Sequence, residues 1–258
     1  MWQFPLTIRG EPVSSIVELL GVMRRQLRQW DAARDNRAAF LRVYAAMTAG
    51  VEERRSQGFF LDPAWIERVA VRFGWYYFHA LGEWEAARRA PPAWTYAFEQ
   101  AKRRRTFVLQ DILLGMNAHI NNDLPLVVWE LLVGEGDAAD RERSIRRRFD
   151  HDQINRVLEL VIPGVEREVA SHYGRGIRPL SWVLGDLDEA LTLFGLITYR
   201  DKVWQNAQFL LAATEAERAT VIHWIEQDAL HVAELIARFG PLRAFRPLAS
   251  LTRRLRLF

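Results

Sequence analysis

The chain has 258 residues, half of them hydrophobic and 26% charged, a composition that excludes disordered and collagen-like chains and suffices for a large buried core. Cysteine is absent, which excludes disulfides, thiolate nucleophiles and cysteine-ligated metal clusters, so any metal must take nitrogen and oxygen ligands. The net charge is only +3, from 35 basic and 32 acidic residues.

Helical periodicity runs through the sequence. Ser15 with Glu18 three positions on forms a capping box ahead of Ile16, Leu19, Leu20, Met23 and Leu27, which predicts a first helix over about 15–33. A second helix over about 36–56 carries Phe40, Val43, Tyr44, Met47 and Val51. Asp62 before Pro63 is an N-cap and first-turn proline, opening a third helix through Ile66, Val69, Phe73 and Tyr77. After Pro91 and Pro92 a long helix is expected over about 93–122, ended near Asp123 by Pro125.

A short apolar helix over 125–133 stops at Gly134 and Gly136, and the charged stretch 137–148 leads into a helix through Ile154, Val157, Leu158 and Val161, with Pro163 as a kink or restart. Gly174, Gly176 and Pro179 suggest a loop, followed by helix over about 186–213. Thr214 with Glu217 repeats the capping box and opens a last helix to Phe239. No segment alternates convincingly as a strand. The expected fold is all-α, a single-domain bundle of about seven or eight helices over residues 1–240, followed by a tail over 241–258.

That tail holds Arg243, Arg246, Arg253, Arg254 and Arg256 among leucines and phenylalanines and has no acid. Such a basic amphipathic terminus suits a membrane surface or an acidic partner, unless it docks on its own domain. Without a basic domain behind it, no nucleic-acid partner is expected. The first ten residues lack a signal-peptide pattern, and no apolar run approaches the roughly 18 residues of a spanning helix, so a cytoplasmic location is expected.

The most unusual segment is Leu113–Pro125, where Asn117, His119, Asn121, Asn122 and Asp123 interrupt an apolar stretch. His119 and Asp123, four apart, share a helical face and suit either chelation of a divalent ion or a hydrogen-bonded acid/base dyad. Asp150, His151, Asp152 and Asn155 form a second cluster, with His151 and Asn155 again four apart; helix-start chemistry explains its acids equally well. His79 follows the aromatic run Phe73, Trp75, Tyr76, Tyr77 and Phe78, residues suited to a core or to the wall of an apolar ligand pocket. Phosphate-binding glycine loops, GxSxG elbows, HExxH pairs and the Glu-x-x-His motif of di-iron bundles are all missing.

Asn117–Pro125 and Asp150–Asn155 resemble an uncharacterised bacterial family with an Asn-Ala-His-Ile-Asn-x-Asp-Leu-Pro signature, a likeness that brings no established activity. A looser likeness, to the all-helical zinc-dependent phospholipase C and single-strand nuclease superfamily, rests on the order Asp62, His79, His119 with Asp123, and His151 with Asn155. Asn155 stands where that superfamily has a carboxylate, and the amino-terminal tryptophan ligand has no counterpart, so the likeness implies a site of one or two metals, or an emptied one, rather than three.

Two functions follow as expectations. In the first, a divalent zinc, iron or manganese ion held by His79, His119, Asp123 and His151 activates water for hydrolysis of a phosphoester or similar anionic small molecule. Asp150 or Asp152 is then the general base, while Asn117 and Asn155 orient substrate oxygens. In the second, the chain is a metal-independent small-molecule enzyme or binder with an aromatic-lined pocket and a His119–Asp123 acid/base dyad.

Overall fold

A computed structural model describes residues 5–103, 106–134, 136, 140–184 and 196–238. The chain opens with a hairpin of two antiparallel strands, β1 (Leu6–Ile8) and β2 (Glu11–Val13), with Leu6 opposite Val13 and Ile8 opposite Glu11. Helices follow: α1 (Ile16–Ala32), α2 (Ala38–Ser56), α3 (Pro63–Ala87), α4 (Pro92–Arg103) and α5 (Val108–Asn117). A π-helical segment, Ala118–Asp123, joins α5 to α6 (Leu124–Gly134) without a break. Then come α7 (Arg141–Leu184), α8 (Leu196–Ala212) and α9 (Glu215–Arg238). With α5, the π segment and α6 taken as one rod, the described residues form eight helices, the all-α bundle that the periodicity predicts.

The capping signals work as read. Ser15 Oγ accepts from the Glu18 amide, and the Glu18 carboxylate accepts from the amides of Ser14 and Ser15, which holds that carboxyl below its usual pKa. Asp62 Oδ1 accepts from the Trp65 amide at 2.9 Å ahead of Pro63. At α9 the Glu217 carboxylate accepts from both the amide and the hydroxyl of Thr214.

Four elements depart from the pattern. The hairpin is real, although its strands are three residues each, too short to alternate visibly; Arg9 and Gly10 both take positive φ (53° and 84°), the two-residue turn that suits a right-handed strand twist. The expected 93–122 helix is divided before Val108, where Thr106 donates to the Asp111 carboxylate and the Phe107 amide donates to Gln110 Oε1, so a second set of N-terminal donors is satisfied. Pro125 does not end a helix, because the preceding turn is π-helical and the Leu124 amide reaches back five residues to the His119 carbonyl. A wider turn removes the ring-to-carbonyl clash that makes an interior proline costly. Helix α7 likewise runs on through Pro163 and through the expected loop at Gly174–Pro179. Helix is described again from Leu196, and both 185–195 and the basic tail 241–258 lie outside the described residues.

Two apolar clusters form the interior. One joins the hairpin, α1, α2, α3, α4, α5 and parts of α7 and α9; the other joins the C-terminal end of α2 and the start of α3 with α6, α7 and α8. Phe73, Ile120 and Val161 pack against both, so the clusters meet where α2, α3, the π segment and α7 converge. No helix among the described residues is long and apolar enough to cross a membrane.

Gly50 lets α2 lie directly on α7: a Cβ there would fall 2.2 Å from Val161 Cγ2. We expect Gly50→Ala to destabilise the protein, since overpacking costs about 1–3 kcal/mol against roughly 1 kcal/mol gained in helix propensity. In a Val161→Ala background the same change should become stabilising. Urea unfolding of the four proteins in this cycle checks both signs.

Candidate functional site

Five of the six residues of the π segment, Ala118, His119, Asn121, Asn122 and Asp123, are buried. The regular helix α5 before it is buried all round as well, over Leu109–Asn117, so the rod runs through the interior and its polar side chains need partners there. Asn117 Nδ2 donates to the Ala229 carbonyl of α9 at 2.8 Å, and its Oδ1 accepts from Asn121. These amides fasten α5 and the π segment to α9.

Asp123 is the centre of the group. Its Oδ2 accepts from Trp94 Nε1 at 2.9 Å and lies 2.9 Å from His119 Nδ1, while its Oδ1 accepts from Asn122 Nδ2 at 2.8 Å. Because a carboxylate only accepts, His119 carries its proton on Nδ1 and leaves Nε2 as the lone-pair nitrogen. That Nε2 is buried and makes no hydrogen bond among the described residues. The ring is fixed by aromatics: Phe73 stacks on it face to face at 3.4 Å, and Tyr44 meets it edge-on at 4.4 Å. Burial lowers the His119 pKa, against the opposing pull of Asp123, so the imidazole is neutral near pH 7.

His119 forms part of the wall of a cavity of about 770 Å³, counting the open solvent at its mouth. The walls come from α2, α3, the π segment and its flanks, α7 and α8, and they are overwhelmingly apolar: Val43, Met47, Val51, Ile66, Val69 and Leu124 are typical. The polar members are Tyr44, Thr48, His119 and Arg200. Thr48 is satisfied, since its hydroxyl donates to the Tyr44 carbonyl. Burial keeps the Tyr44 phenol protonated far above neutral pH.

The remaining sequence-derived candidates go elsewhere, and the proposed four-residue metal set is not assembled. His79 is exposed and stacks on Trp75 at 4.5 Å. Trp75 lies under Arg72, which pairs with Glu130 at 2.9 Å. His151 is buried in a reciprocal clasp with Arg200: its Nε2 donates to the Arg200 carbonyl (3.0 Å), its Nδ1 faces Arg200 Nη2 (3.3 Å), and Nη2 donates to the His151 carbonyl (2.8 Å). Only His119 and Asp123 of the set touch, and no group of three or more such side chains among the described residues could hold a metal ion. Spacing on a helix brings pairs together; it does not bring separate helices into register.

Asp150 is fully buried, and its carboxylate accepts from the amides of Leu61 (2.8 Å) and Asp62 (2.6 Å), tying the start of α3 to α7. Asp152 pairs with Arg148 at 2.9 Å. Asn155, half-buried, does not line the cavity, although its neighbours Ile154 and Leu158 do. Asp62, besides capping α3, lies 3.5 Å from Arg147. Asp150 and Asp62 thus tie α3 to α7, Asp152 pairs within α7, and none of the three lines the cavity. Of the aromatic run, Phe73 alone lines it.

Sequence reasoning missed Trp94, Arg200 and the role of Tyr44. Trp94 reads as one more core aromatic, and only its indole N–H on Asp123 sets it apart. Arg200 stands in a charged stretch, Arg200–Asp201–Lys202, that reads as a solvated face.

The fold and this site define a class: a helical bundle with an apolar cavity at the junction of two cores and a buried histidine–carboxylate pair in its wall. The chain belongs to DUF5995, a family of unknown function whose model matches residues 16–239. No curated protein and no solved structure matches it.

Burial pushes His151 well below its ordinary pKa, with the Arg200 charge adding to the effect, and it lowers His119 as well. Both are neutral when folded, whereas in the unfolded chain they take up protons near pH 6.5. Their contribution to stability is therefore complete above pH 6.5 and is lost as the pH falls below it, by up to about 1.4 kcal/mol per pH unit for each histidine. Urea unfolding at pH 7.5 and 5.5 should show this loss, and His151→Gln and His119→Gln should each flatten the dependence relative to wild type.

Proposed function

We propose that the protein is a metal-independent enzyme acting on a predominantly apolar small molecule, with His119 as general base and Asp123 as its orienting partner. The observation that carries this reading is the His119 Nε2 lone pair, buried without a partner in the wall of an apolar cavity. Leaving a buried polar nitrogen unpaired costs about 1–3 kcal/mol. A ligand proton delivered to that atom would remove the cost.

The dyad suits proton transfer. Asp123 holds the tautomer that presents Nε2 as the base, and its charge stabilises the imidazolium that forms when Nε2 takes a proton, as in other histidine–aspartate pairs. The lowered pKa keeps the imidazole in its base form at neutral pH. The apolar walls keep water away from the transfer and strengthen the interaction of His119 with Asp123. Tyr44, protonated beside the ring, is the available donor toward an oxygen that becomes negative. On this reading the Asn117–Pro125 signature is functional through His119 and Asp123 and structural through its asparagines. The metal-hydrolase alternative suggested by the likeness to zinc-dependent phospholipases is less well supported, because His79 and His151 point to other neighbours.

The test is a thermal-shift screen of small apolar alcohols, ketones and esters against wild type, His119→Gln and Ala70→Phe, the last of which places a ring in the cavity. We expect compounds that raise the melting temperature of wild type and leave Ala70→Phe unchanged. Among these, mass spectrometry should detect conversion by wild type and none by His119→Gln. Compounds that protect the filled variant equally would overturn the cavity as the binding site, and conversion surviving in His119→Gln would overturn the base assignment.

A further inference from the structure

Three arginines are buried in the described part of the molecule: Arg72 at 3% exposure, Arg147 at 2% and Arg200 at 5%. The first two follow the usual rule that a buried charge is paired. Arg72 is bound by Glu130 and Arg147 lies against Asp62. Arg200 has no carboxylate within ion-pair distance among the described residues. Its Nη2 spends its hydrogen bonds on neutral His151 groups, and its Nε is buried with no acceptor. The acid whose field reaches it, Asp152, is bound to Arg148, and Arg148 also takes Asp201.

Arg200 is one of the residues of the cavity wall. Resting on the reading of that cavity as a substrate site, we infer that Arg200 is its anion-recognising end, and that the substrate class is an amphiphilic monocarboxylate whose apolar body lies along the α2 and α3 walls toward His119. Among the described residues one cation lines the cavity, so one negative charge is matched. With Nη2 held by His151, a carboxylate would accept from a guanidinium N–H that the clasp leaves free, a charge-assisted bond, and the Val43, Met47, Val51, Ile66 and Val69 surfaces leave the rest of the ligand no polar partner. The His151 clasp explains why the guanidinium stays in place without an acid: both imidazole nitrogens and the His151 carbonyl are engaged with Arg200, and a neutral imidazole leaves the positive charge available. Burial brings the Arg200 pKa down to about 10, still charged at neutral pH and in need of a counter-ion.

The test compares octanoate and 4-phenylbutyrate with their primary amides, octanamide and 4-phenylbutyramide, by calorimetry at pH 7.5. A charge-assisted contact should make each acid at least about tenfold tighter than its amide on wild type. Arg200→Met should abolish that preference while still binding the amides, with its melting curve confirming a folded protein. The comparison within wild type stands without the variant if Arg200→Met does not fold. Amides that bind as tightly as the acids would overturn the role of Arg200 and leave the cavity reading intact. A preference for acids that persists in folded Arg200→Met would overturn it as well. If neither acid nor amide binds wild type, the monocarboxylate assignment falls; whether the cavity reading falls with it is decided by the neutral compounds of the thermal-shift screen.

Discussion

Three donors on three different side chains converge on the buried Asp123 carboxylate, and the organisation of the site follows from that convergence. The Trp94 bond reaches across from α4, the His119 bond spans one turn of the π segment, and the Asn122 bond comes from the adjacent residue. Removing the carboxylate would leave an indole N–H and an imidazole N–H buried without acceptors, each at a cost of about 1–3 kcal/mol. The π-helical turn also sets the course of the chain: a regular α-helical turn there would bring Pro125 against the carbonyl four residues before it.

The same turn determines where the cavity lies. Because α5 and α6 continue through it as one rod, one half of the rod packs in the first apolar cluster and the other half in the second, with Ile120 touching both. Phe73 of α3 also touches both clusters and stacks on His119 at 3.4 Å. The imidazole thus stands at the seam between two well-packed bodies. Close approach supports it from behind: a Cβ on Gly115 would lie 2.3 Å from Phe40 Cγ, so only glycine there lets Phe40 settle between α5 and the aromatic group around His119. An imidazole held in this way has little rotational freedom left.

Much of the fold was legible because its signals are local. The capping boxes at Ser15 and Thr214, the Asp62–Pro63 start and the apolar stripes act within a few residues, and they suffice for an all-α bundle. What was not legible depends on competition between local signals or on distant partners. Proline at 125 ordinarily ends a helix, and only the π turn before it, stabilised by contacts with α4 and α9, lets the chain continue. The division of the 93–122 helix turns on Thr106 binding Asp111, a pairing hidden beside the Arg103–Arg105 run. Of the site, the His119–Asp123 pair could be read from a spacing of four, whereas Trp94, Phe73 and Arg200 come from three other helices and carry no sequence mark linking them to it.

His119 and His151 show why spacing alone misassigns roles. Each has a polar residue four positions on, Asp123 and Asn155, and each is buried with a lowered pKa. The difference lies at the second ring nitrogen. In His151 both nitrogens are taken up by Arg200, one by its carbonyl and one by its guanidinium, so this imidazole has no lone pair left for chemistry and serves to hold a neighbour. In His119 one nitrogen is held by Asp123 and the other is left without a partner. His119 lines the cavity directly, whereas His151 reaches it only through Arg200, which it clasps. His119 Nε2 and Arg200 Nε are thus two of the buried atoms left without a partner among the described residues, and both belong to residues of the cavity wall.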